Sequence, residues 1–116
     1  MKLFKDFTFE AAHKLPLVPK THKCFNLHGH SFKVRIYIEG EINSMGWVMD
    51  FSTIKSICGS IIKELDHTYL NEISGLDNPT SENIAIWLWD RIKIKMPELS
   101  SIEVSETCSS GCRYYG

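Results

Sequence analysis

The chain has 116 residues, 43% of them hydrophobic, and a formal net charge of −1. That length suits one domain, residues 1–116, which can bury about two-thirds of its unfolded surface without staples. The near-neutral charge gives no basis for nucleic acid or an anionic membrane as the main partner, and no run approaches the 18 or so apolar residues of a membrane span. The start, Met1-Lys2-Leu3-Phe4-Lys5-Asp6, lacks the apolar run of a signal peptide, so the expectation is a soluble, cytoplasmic protein.

Residues 3 to 13 read as a strand. Leu3, Phe7, Phe9 and Ala11 share one parity against Asp6, Thr8 and Glu10, and Phe4 and Lys5 break the alternation. His13 ends the apolar face. Residues 14 to 27 carry Pro16 and Pro19 and read as a long loop, sprinkled with Lys14, Lys20 and Lys23. His22, among those lysines, reads as a solvated loop residue and not as a ligand.

A second strand spans about 28 to 40. His28 and His30 share the parity of Phe32, Val34, Ile36 and Ile38, while Lys33, Arg35, Tyr37 and Glu39 point the other way. Two imidazoles one pleat apart can chelate a metal, or merely flank the turn at Gly29. Antiparallel pairing of the two strands sets His13 beside them, which favours metal. Three histidines and an open position describe a catalytic zinc site better than a structural one.

Met45 to Asp50 reads as a short extended piece. Phe51, Ile54, Ile57, Cys58, Ile61, Ile62 and Leu65 then recur at helical spacing, with Asp50 or Ser52 as the cap. A polar loop from Asp66 to Pro79 follows. A second helix begins near Thr80, carries Ile84, Trp87, Leu88 and Ile92 on one stripe, and stops at Pro97. Residues 101 to 108 alternate again, and Arg113-Tyr114-Tyr115 can pair back through Ser109-Ser110-Gly111. The order strand, strand, helix, helix, strand, strand predicts an α+β domain. Its four-stranded antiparallel sheet would carry both helices on one face.

Four side chains outside the His13, His28 and His30 set carry possible chemistry. Cys24, four residues before His28, is a base, a nucleophile or a fourth zinc ligand if a dication lowers its pKa, and otherwise an idle loop thiol. Asp66-His67 is a proton relay or only a helix-end turn, since adjacent residues seldom face one another. Glu106 shares the apolar parity of Ile102 and Val104, so it needs a partner, such as a ligand's planar N–H edge, or it reaches water at the strand end. Cys58 reads as a buried small hydrophobe, and Cys108 and Cys112 as thiols spaced too widely for a zinc ribbon.

Five motifs resemble those of the 6-pyruvoyltetrahydropterin and 6-carboxytetrahydropterin synthase family. They are Phe9-Glu10-Ala11-Ala12-His13, Cys24 through His30, Leu65-Asp66-His67, Asn78-Pro79-Thr80-Ser81-Glu82-Asn83 and Glu106-Thr107-Cys108. The three-residue gap between Cys24 and His28 is similar to the 6-carboxytetrahydropterin synthase branch; the pyruvoyl branch has a longer gap. The resemblance implies the tunnelling fold, with subunit sheets joined into a trimeric barrel and two trimers stacked as a homohexamer. It implies zinc on His13, His28 and His30, Cys24 as general base, and Asp66 and His67 as a proton relay. Glu106 would anchor the pterin edge, helped by Thr80 or Ser81. The implied substrate is 7,8-dihydroneopterin triphosphate and the implied context is queuosine biosynthesis. Triphosphate elimination of the pyruvoyl type is the alternative within enzymes, and a zinc-stabilised binding module without turnover the alternative outside them.

Overall fold

The computed structural model describes residues 1–116. Two long strands, β1 (Lys2–His13) and β2 (His28–Glu39), pair antiparallel from Lys2 opposite Glu39 to His13 opposite His28. Two helices follow, α1 (Phe51–Ile62) and α2 (Ser81–Lys95), with the two-residue strand β3 (Thr68–Tyr69) between them. The chain ends in β4 (Leu99–Thr107) and β5 (Ser110–Tyr114), and the sheet runs β3-β1-β2-β4-β5.

The period-2 pattern decides which face is covered. Phe9, Ala11, Phe32, Val34, Ile36, Ile38, Ile102 and Val104 are buried, on the sheet face that the helices cover. From α1 the core receives Ile54, Cys58, Ile61 and Ile62; from α2 it receives Ile84, Ala85, Trp87, Leu88 and Ile92. Asp50 Oδ1 caps α1 by accepting the Ser52 N–H at 2.8 Å, and Thr80 Oγ1 caps α2 by accepting from Asn83 at 3.2 Å. Ile36 is fully buried at the centre of the sheet. Ile36→Ala is expected to cost about 2–5 kcal/mol, read as a lower midpoint in urea unfolding.

The other sheet face is charged and self-paired. Arg35 donates to both oxygens of Asp6, at 2.6 and 2.8 Å, and Lys33 approaches the same carboxylate at 3.3 Å. These cations hold the Asp6 carboxyl below the usual carboxylate range. The Arg35 guanidinium also lies 4.0 Å from the centre of the Phe4 ring, which accounts for an aromatic side chain standing out of pattern on this face.

Three sequence expectations change. The sheet has five strands rather than four, because β3 adds to the edge of β1 in parallel through Ala11 and Ala12. Met45 to Asp50 forms no strand: the Asn43 carbonyl accepts from Gly46 and the Asn43 side chain from Met45, so turn chemistry prevails. Phe51 opens α1 about half exposed, outside the apolar stripe that continues from Ile54. All four cysteines are free thiols, Cys58 buried and Cys108 exposed. No helix is long and apolar enough to cross a membrane.

Candidate metal centre and its surroundings

The register that pairs His13 with His28 brings the histidines together at one end of the buried face. The ring centres of His13, His28 and His30 stand 4.6, 5.2 and 4.8 Å apart, with Phe32 packed against His13 and His30. Their ligand atoms all lie within 4.8 Å of one another.

Hydrogen bonds decide which nitrogen is free. His13 Nδ1 lies 2.8 Å from the Pro79 carbonyl, and His28 Nδ1 lies 2.8 Å from the Asn26 carbonyl. A carbonyl only accepts, so each Nδ1 carries the proton and each Nε2 a lone pair. The Nε2 atoms of all three histidines are buried without a partner. A buried polar nitrogen without a partner costs free energy, and three that converge suit one shared cation. Burial also pushes His13 below the ordinary imidazole pKa, toward the neutral form a metal requires. Outer nitrogens pinned by carbonyls, with inner nitrogens converging, are what an imidazole metal site needs. The residues therefore fit a metal ion.

Glu106 stands beside this cluster. Its carboxylate is 3.7 Å from His30 Nε2 and 4.0 Å from His13 Nε2, with the side chain about one-quarter exposed. Along β4, Ser105 pairs with Gly111 and Thr107 with Ser110, which leaves Glu106 as the extra residue of a bulge. A Cβ on Gly111 would stand 2.7 Å from the Val104 carbonyl, so only glycine lets β5 approach there.

A cavity of about 400 Å³ opens next to Glu106. Thr80 and Ser81 line it from the start of α2, Leu15 and His22 from the β1–β2 loop, and Cys112 from β5. His22 is exposed in the loop, as expected, and also has a local structural role. Its Nδ1 accepts the Cys24 N–H at 3.1 Å and so caps the short 3₁₀ turn Lys23–Phe25. The signal was available in the His22-x-Cys24 spacing, which suits a side chain that caps a turn two residues on. The loop is pinned again where Leu15 N–H meets the Cys24 carbonyl at 2.8 Å, and where Asn71 takes both backbone groups of Lys14.

Cys24 is half-buried on that turn and lies outside the histidine cluster. Asp66 and His67 do face one another, with His67 Nδ1 2.9 Å from Asp66 Oδ2. His67 adopts a left-handed backbone, φ 56°, and that turns its ring back. The Glu10 N–H donates to Asp66 Oδ1 at 2.8 Å and, with His67, holds that carboxyl below its usual range. His67 opens on a second hollow, lined by Glu10, Ala12, Gly29 and Ser31 and also by His30 of the histidine cluster. A single chain thus does not bring Asp66 and His67 into the cavity of Glu106, Thr80 and Ser81.

Residues 2–116 match the family model described as 6-pyruvoyl tetrahydropterin synthase. A Synechocystis protein named 6-carboxy-5,6,7,8-tetrahydropterin synthase is 44% identical over 97% of this chain and 92% of its own. A Pyrococcus furiosus protein named dihydroneopterin monophosphate aldolase is also 44% identical, over 78% of this chain and 73% of its own. Among solved structures, the 6-pyruvoyl tetrahydropterin synthase of Caenorhabditis elegans superposes with a TM-score of 0.91 at 25% identity, covering 100% of this chain and 95% of that one.

Proposed function

The chain belongs to the 6-pyruvoyl tetrahydropterin synthase family, and from that premise we propose that it is a zinc-dependent 6-carboxy-5,6,7,8-tetrahydropterin synthase. The reaction would convert 7,8-dihydroneopterin triphosphate and water into 6-carboxytetrahydropterin, acetaldehyde and triphosphate, in the cytoplasm, as a step toward queuosine. The observation that carries this reading is the set of three converged, unpartnered Nε2 atoms on His13, His28 and His30. The similarity to the Synechocystis protein, which spans nearly the whole chain, and the three-residue gap between Cys24 and His28 support this branch of the family.

Zinc bound there would act as a Lewis acid, acidifying the hydroxyls of the substrate side chain. The protein's own residues do the rest. Glu106 accepts hydrogen bonds from the amino-pyrimidine edge, and Thr80 and Ser81 at the mouth of α2 orient the ring. Cys24, held on its capped turn, removes a proton from the side chain. Asp66 holds His67 in one tautomer so that His67 moves protons in turn.

His67 does not line the cavity of its own chain, so a second copy would supply the pair in the homohexamer, a dimer of trimers, that we propose. Residues Lys2 to Phe9 of β1 and the outer side of β5 lie at open sheet edges. Joining such edges into a barrel removes exposed ladder groups and places the Asp6, Arg35 and Arg113 face inside.

The test is product identification. Zinc-loaded protein supplied with 7,8-dihydroneopterin triphosphate is expected to yield 6-carboxytetrahydropterin and acetaldehyde in equal amounts. A pyruvoyl product without acetaldehyde would move the chain to the sister activity. The similarity to the aldolase makes dihydroneopterin monophosphate the second substrate to offer, and faster turnover of it would replace this reading.

A further inference from the structure

We propose that Glu106 is a fourth, exchangeable ligand of the metal held by His13, His28 and His30, closing that site until substrate displaces it. The inference rests on the three-histidine metal centre proposed above and deepens it. Two ligand atoms on one tetrahedral zinc, with bonds of about 2.0–2.1 Å, stand about 3.4 Å apart. Glu106 Oε2 is 3.7 Å from His30 Nε2 and Oε1 is 4.0 Å from His13 Nε2, within a few tenths of an ångström of that spacing. The carboxylate approaches these two rings and not His28, so it stands to one side of the triad.

Nothing else in the chain engages this carboxylate. No Lys or Arg pairs with it, and the two rings beside it are neutral when they bind metal through Nε2. A carboxylate only about one-quarter exposed, and without a donor, is costly to hold there. A dication at the three unpartnered Nε2 atoms satisfies the nitrogens and the carboxylate together. The bulge aims Glu106 inward, and Gly111 leaves β5 close behind it. Because Glu106 also lines the cavity, a change of side-chain rotamer carries its carboxylate from the metal to a ligand's N–H edge. The same residue then guards the metal in the resting protein and anchors the substrate once it has entered.

The experiment titrates metal-free wild-type protein, E106Q, E106A and H28A with zinc against a competing chelator, and records the visible absorption of their cobalt(II) forms. E106Q keeps the shape and exposure of the residue, and circular dichroism checks its fold. The expected result is zinc affinity about 10–100-fold lower in E106Q, and at least as low in E106A, together with a changed cobalt band. Affinity within about twofold of wild type would overturn the inference. So would weaker binding with an unchanged cobalt band, since Glu106 would then act only through its charge. If H28A also binds zinc as tightly as wild type, the histidine centre itself fails. The two readings therefore fail separately, and neither outcome depends on turnover.

Discussion

Cys24→Ala is expected to lower turnover by about 10²–10⁴-fold, the range for removing a positioned acid–base group, while zinc content stays at the wild-type level. The structure makes this substitution clean. The contacts that shape the turn at Cys24 are backbone ones, its N–H to His22 Nδ1 and its carbonyl to the Leu15 N–H, and alanine keeps both. The thiol lies outside the histidine cluster, so its loss takes no nitrogen from the metal. Steady-state acetaldehyde formation and metal analysis of the same preparation decide the matter. Wild-type turnover would remove Cys24 from the mechanism, and loss of zinc would recast it as a ligand.

The second large effect is expected from His30→Ala, which should abolish both zinc binding and turnover. Its zinc affinity should fall further than the about 10–100-fold expected for the exchangeable Glu106, because one of the three permanent ligands is gone. His30 is a better choice than His13 for this test. His13 is fully buried and its Nδ1–H satisfies the Pro79 carbonyl ahead of α2, so its loss would unsettle the fold as well as the metal. His30 remains partly exposed at the edge of the cluster. Chelator competition gives the affinity, and thermal unfolding of the metal-free proteins separates folding from binding. Full zinc occupancy in His30→Ala would end the three-histidine assignment.

How much of this was legible beforehand follows from the range of each effect. The burial of Phe9, Phe32, Val34 and Ile36, and the meeting of His13 with His28, follow from the two-residue period of a strand and one antiparallel pairing. Both are local rules, and they were readable. The caps Asp50 and Thr80 were readable for the same reason, since each cap bonds within three residues of itself. Strand β3 was not, because two residues have no period; only docking against Ala11 and Ala12 makes them a strand. The facing of Asp66 and His67 was left open between relay and helix-end turn because ordinary backbone turns neighbours apart, and the left-handed φ of His67 goes with its N–H bond to the Glu10 carbonyl.

By itself, then, the sequence determined the element order, the apolar face and the presence of three imidazoles and a carboxylate on it, all consequences of backbone periodicity. The tertiary structure decided what those groups can do. Which nitrogen of His13 is free depends on a carbonyl 66 residues away in the chain. The bulge that leaves Glu106 unpaired comes from a slip between β4 and β5, and the separation of His67 from the cavity comes from which edge of β1 receives β3. Lone pairs and charges act over a few ångströms in space, and only folding sets those distances.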